Sequence, residues 1–133
     1  MAVTKSNIAN RLAETLVVDI DANGTSEDNV FSGTTLASKI YQVVIDNTAT
    51  GAATYVRFQY ATAYQKATSN VTPSTDNLRL YAPANQSATY VFPEGLAFTT
   101  GLSFLATSDT GDVNGTSYTD PGGTVKVTIL GDT

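Results

Sequence analysis

The chain contains neither cysteine nor histidine in its 133 residues. Without cysteine there is no disulfide, no thiolate metal site and no thiol nucleophile. A small exported domain often relies on disulfides, so their absence points to synthesis in a reducing cytoplasm. Without histidine the commonest general base is missing, and with it the Ser-His-Asp arrangement and the usual zinc and iron ligands. Tryptophan is also absent, which weakens sugar stacking as a mode of recognition. The expectation is a chain that is not an enzyme and carries no cofactor.

Charge is scarce too. Charged residues make up 14% of the chain, against about a quarter in ordinary domains. Thr, Ser, Asn and Gly supply the polar balance, and they favour turns and exposed strand faces over helices. The net charge is −5, and the 7 basic residues stand singly at Lys5, Arg11, Lys39, Arg57, Lys66, Arg79 and Lys126. No basic patch exists to displace counterions, which argues against nucleic acid as a partner. No stretch reaches the roughly 18 consecutive apolar residues of a membrane helix, so no membrane association is expected. Met1 to Asn10 lacks an apolar run of signal-peptide length.

What is present is a repeating two-residue period. Strands are predicted at Leu16 to Asp21, Lys39 to Asp46, Thr54 to Ala61, Asn77 to Ala82, Ser87 to Phe92, Gly101 to Thr107 and Thr124 to Leu130. Val56, Phe58 and Tyr60 fall on one face of their strand, with Tyr55, Arg57 and Gln59 on the other. The apolar run Ile40 to Ile45 predicts burial on both faces. Turn clusters separate the strands at Asp46 to Gly51, Thr72 to Asn77, Pro83 to Gln86, Pro93 to Gly95 and Asp109 to Gly123. Short strands with a turn signal roughly every ten residues predict an all-β fold, a single antiparallel β-sandwich of jelly-roll or Ig-like type. Residues 16–133 form that domain. Residues 1–15 are expected to be an N-terminal arm or short helix, with Ile8, Leu12 and Leu16 at helical spacing and poised to dock on a neighbour.

Few residues group in a way that carries chemistry. Asp19-Ile20-Asp21-Ala22-Asn23-Gly24 opens like a calcium loop, with oxygen ligands at alternate positions and glycine at the sixth. The twelfth position is Val30 where such a loop needs a bidentate Glu, so an EF-hand is rejected. A weaker calcium site using Asp19, Asp21, Asn23, Glu27 and Asp28 stands beside the plainer reading of a solvated acidic turn. Glycoside hydrolysis needs two facing carboxylates, and Glu14, Glu27 and Glu94 supply no obvious pair. Most aromatics lie in strand candidates and are expected in the core. Tyr64, Tyr81 and Tyr118 read as more exposed and are the expected interface tyrosines. Asn-x-Ser/Thr triplets at Asn23, Asn70, Asn85 and Asn114, and a repeated Asp-x-Asn-Gly-Thr-Ser at Asp21 and Asp112, follow from an Asn- and Thr-rich composition.

One likeness extends over residues 39–130. It is carried by Ile40-Tyr41-Gln42-Val43-Val44-Ile45-Asp46-Asn47, Thr54-Tyr55-Val56-Arg57-Phe58 and Tyr81-Ala82-Pro83-Ala84. It continues in Phe92-Pro93-Glu94-Gly95-Leu96-Ala97-Phe98 and Pro121-Gly122-Gly123-Thr124-Val125-Lys126-Val127. In these segments the chain resembles small virion proteins of tailed phages, of the marine and cyanobacterial type. The resemblance is one of pattern and brings no catalytic residue with it. It implies a structural protein made in the host cytoplasm and carried in the virion, most readily a capsid decoration or cement protein. The implied partners are the major capsid protein or other virion proteins and the chain itself, as a homo-oligomer with a trimer favoured. The alternative it leaves open is a tail- or fibre-associated module that recognises a host-surface glycan.

Overall fold

A computed structural model describes residues 15–19, 22, 28–32, 38–61, 76–98, 101–108 and 119–132. They form eight strands: β1 (Thr15–Asp19), β2 (Asp28–Ser32), β3 (Ser38–Asp46), β4 (Thr54–Gln59), β5 (Leu78–Ala82), β6 (Ser87–Phe98), β7 (Gly101–Thr107) and β8 (Lys126–Asp132). No helix occurs among the described residues.

The strands make two four-stranded sheets, ordered β1-β8-β3-β6 and β2-β7-β4-β5, with every pairing antiparallel. The pairs β1/β8, β2/β7, β3/β6 and β4/β5 are nested, like the rungs of one long hairpin whose tip is β4–β5. Two further pairings, β3/β8 and β4/β7, roll that hairpin into a sandwich. This is jelly-roll connectivity, so of the two predicted topologies the Ig-like one is set aside.

A single core lies between the sheets. The first sheet and its approach contribute Ile40, Val43, Ile45, Phe98, Val125, Val127 and Ile129, and the second contributes Val56, Phe58, Leu80, Ala82, Leu102, Phe104 and Ala106. Phe58 and Phe104 are register partners, with ring centroids 5.7 Å apart. Each fully buried large apolar side chain contributes about 1.5–3 kcal/mol, so the period-two pattern is also the energetic basis of the fold.

Three local expectations need correction. The run Ile40 to Ile45 is not buried on both faces: Ile40, Val43 and Ile45 are fully buried, while Tyr41, Gln42 and Val44 are half-buried. A bulge at Tyr41 shifts the register against both β6 and β8, and this moves the inward parity from even to odd residues. Pro93 to Gly95 is not a turn between elements. It lies inside β6, where Phe92 to Gly95 stand opposite Tyr41 alone. A central strand would not tolerate Pro93, but β6 ends its sheet. The third correction is β2, which the sequence pattern does not reveal, because a register shift between Asn29 and Phe31 breaks its alternation.

The second sheet is also buried more widely than its pattern implies. Arg57 and Gln59 lie on the face opposite Val56 and Phe58, yet both are buried, and so is every residue of β7.

Candidate functional site

The outer strand β6 and its bulge supply one open surface feature among the described residues. Four residues, Phe92 to Gly95, arch away from the ladder and leave a wide-open depression of about 390 Å³. The arch is fixed from below. Gly95 has φ +79°, and a Cβ there would stand 2.7 Å from the Lys39 side chain and 2.9 Å from the Tyr41 ring. Only glycine suits both the left-handed backbone and that close approach. The Lys39 ammonium donates to the Glu94 carbonyl at 3.2 Å, clamping the arch to β3. Phe92 and Pro93 give the depression an apolar wall, and the exposed Glu94 gives it a carboxylate. It is open to solvent, unlike an enclosed pocket of the kind that strips a small ligand of water.

Beside the arch, Ser87, Thr89 and Val91 face solvent, and Val91 is 61% exposed. Tyr90 points the other way, packs on the core and reaches across to β5. Its hydroxyl donates to the Tyr81 carbonyl at 2.6 Å and accepts the Tyr81 amide at 3.3 Å. Tyr81 is 43% exposed, with its ring 5.5 Å from that of Tyr55.

The buried polar groups form two frameworks. At one corner Asn47, fully buried, donates through Nδ2 to the carbonyls of Ala52 and Pro83 at 2.9 Å and of Ala82 at 3.4 Å. Its Oδ1 accepts the Thr54 hydroxyl at 2.7 Å. One amide thus ties the β3–β4 connection to the β5–β6 turn. Next to it, the Asp46 carboxylate accepts the Thr48 hydroxyl at 2.6 Å and the Thr48 amide at 3.1 Å. These bonds, helped by Ser87 and the charge of Lys126, hold its pKa below the ordinary 3.8. On the outer face of the second sheet, Asp76 bridges Arg57 and Arg79, each at 3.0 Å, and the Arg57 Nε donates to the Thr107 hydroxyl. Burial alone pushes the Tyr60 phenol above its ordinary pKa of 10.0.

Of the metal and interface residues singled out from the sequence, Leu16, Asp19, Asp28 and Tyr81 are described. Asp19 closes β1 opposite Val127 in the first sheet, and Asp28 opens β2 opposite Phe104 in the second. Asp21, Asn23 and Glu27 of the same calcium loop lie outside the described residues, as do Ile8, Leu12, Tyr64 and Tyr118. Among the described residues no three His, Cys, Asp or Glu gather as a metal site would require. Leu16 lies in β1 at the register position opposite Leu130. Tyr81 alone of the expected tyrosines is seen, exposed as anticipated. Sequence reasoning missed Asn47, Arg57 and the exposed Val91. Only Val91 left a trace, because strict alternation from the inward-facing Tyr90 places it outward. No protein-family model, no curated protein and no solved structure matches this chain.

Proposed function

We propose that this chain is a structural protein of a tailed-phage virion, a capsid decoration or cement protein that binds the head lattice and stabilises it. In this reading it is not an enzyme. Its partners are other copies of itself, in a small ring such as a trimer, and the major capsid protein.

One observation carries the reading: among the described residues the buried polar side chains tie the framework together, and the open features are surfaces. Asn47, Thr54, Arg57 and Thr107 are fully buried and bonded within the framework. Among the described residues, the open features include an uncharged strand edge and a shallow arch. A rigid sandwich with contact surfaces suits a part that works by shape in many copies. The resemblance over residues 39–130 supports the same conclusion.

The test is binding of the purified protein to undecorated capsids. Saturation at a fixed copy number, with a rise in capsid melting temperature, is the expected result. Bare capsids at saturating protein would end the proposal.

The arch favours a second reading, a tail- or fibre-associated module that recognises a host-surface glycan. Phe92, Pro93 and Glu94 combine an apolar wall with a hydrogen-bond acceptor. A glycan array probed with and without chelator tests it, and a blank array under both conditions removes it.

A further inference from the structure

We infer that Ser87 to Val91 of β6 pairs with the same segment of a second copy about a two-fold axis, joining two four-stranded sheets into one of eight strands. The inference rests on the self-association part of the reading above, and it replaces the expected three-fold with a two-fold.

An open strand edge offers unpaired amides and carbonyls to any other strand, and native proteins blunt such edges with charge, proline, bulges or covering groups. The edge strands of this sandwich are β1, β6, β2 and β5. β1 carries Asp19, β2 carries Asp28 and a bulge, and β5 carries Arg79. β5 is further covered at Tyr81, whose outward amide and carbonyl are both held by the Tyr90 hydroxyl. The arch and Pro93 blunt the second half of β6. Among the described residues, Ser87-Ala88-Thr89-Tyr90-Val91 has none of these devices. Its residues are exposed or half-buried, and among the described residues its only strand partner is β3.

The occupant that fits is another copy. The chain carries a net charge of −5, so copies approach most readily through an uncharged segment. A two-fold axis makes a segment antiparallel to itself without further adjustment. With the axis at Thr89, Ser87 meets Val91 and Ala88 meets Tyr90, a small residue opposite a large one in every off-axis pair. Thr89 meets its own copy, a favoured cross-strand pair. The pairing is bounded on both sides, since the turn at Pro83 to Gln86 of one copy reaches the Pro93 arch of the other. The contact is short, and five residues per copy fall below the roughly 1,200 Å² of a standard specific interface. It therefore acts where copies are concentrated, as on a lattice.

The test uses the full chain carrying Thr89→Lys or Thr89→Glu. Position 89 is exposed, so each variant is expected to keep the wild-type circular dichroism and urea midpoint. In sedimentation over a series reaching the millimolar range, the wild type is expected to dimerise. Each variant alone is expected to weaken dimerisation on the order of tenfold or more through like charges at the axis. An equimolar mixture of the two is expected to restore a mixed dimer by native mass. An oligomer that Thr89→Lys leaves unchanged overturns the strand pairing and keeps self-association. Disruption without rescue by mixing overturns the two-fold register. A wild type that stays monomeric throughout overturns both the pairing and self-association, and capsid binding then stands or falls on its own assay.

Discussion

The Tyr90 hydroxyl lies 2.6 Å from the Tyr81 carbonyl oxygen and also takes the Tyr81 amide, so one side chain of the first sheet closes the edge of the second. The two groups it satisfies are those an incoming strand would use. Tyr90→Phe keeps the packing and removes both bonds. The expected loss is about 1 kcal/mol in urea unfolding, with a greater tendency to aggregate at high concentration. An unchanged midpoint together with unchanged solubility would show that the clasp contributes nothing.

Asn47 is the amide on which one corner depends. Asn47→Ala leaves the carbonyls of Ala52, Ala82 and Pro83 without that donor, and the Thr54 hydroxyl without its acceptor. Buried groups stripped of partners are costly, and the expected destabilisation is about 3 kcal/mol. Chemical denaturation measures it, with Thr54→Ala as the milder comparison.

Arg57 and Asp76 make a buried ion pair, with side-chain exposures of 0% and 3%. Removing one partner of such a pair is worse than replacing both. Asp76→Ala is expected to cost about 3 kcal/mol, and the double variant Arg57→Met/Asp76→Leu less than that. A double variant as unstable as the single one would contradict this account.

Asp46 sets an acid limit on stability. Its folded pKa lies below the ordinary 3.8, so its contribution is fully present above 3.8 and fades as the pH falls through the lowered value. Urea midpoints taken from neutral pH down to roughly pH 3 should show a loss that Asp46→Asn reduces. A profile identical in the two proteins would assign the acid limb to other carboxylates.

Two glycines give opposite expectations. A Cβ on Gly123 would stand 2.5 Å from the backbone oxygen of Ala49, whereas Gly51 has nothing within 4 Å. Gly123→Ala is expected to cost about 1–3 kcal/mol, and Gly51→Ala to stay within about 0.5 kcal/mol of the wild type. Thermal melts of the two variants side by side decide the matter.

Where local pattern and tertiary packing agree, the fold was legible. Gly101–Thr107 spans the same residues in sequence and structure, because a dense apolar run between glycine and polar residues has one economical use. The pattern failed wherever a bulge reset its phase, at Tyr41, at Phe92 to Gly95 and in β2. A one-residue slip exchanges inside for outside, and nothing local announces it. The framework residues were hidden for another reason. Asn47 sits in a segment rich in turn formers and reads as one of them, but its partners Ala82 and Pro83 lie 35 and 36 positions away. Arg57 alternates with core residues and reads as solvent-facing until Asp76 and Thr107 are placed beside it. Side-chain chemistry can be read from sequence, but the distant chain that meets it cannot.

All seven residues of β7 are buried, and strands β2 and β4 flank it on both sides. Its amides are therefore the last that deuterium should reach, well after those of β5 and β6 at the margins. Opening then spreads from margin to spine, and the first strands to let go include the one proposed to join copies. Assembly at β6 would slow exchange at the margin first, giving a lattice of these molecules a resistance to unfolding that no isolated copy has.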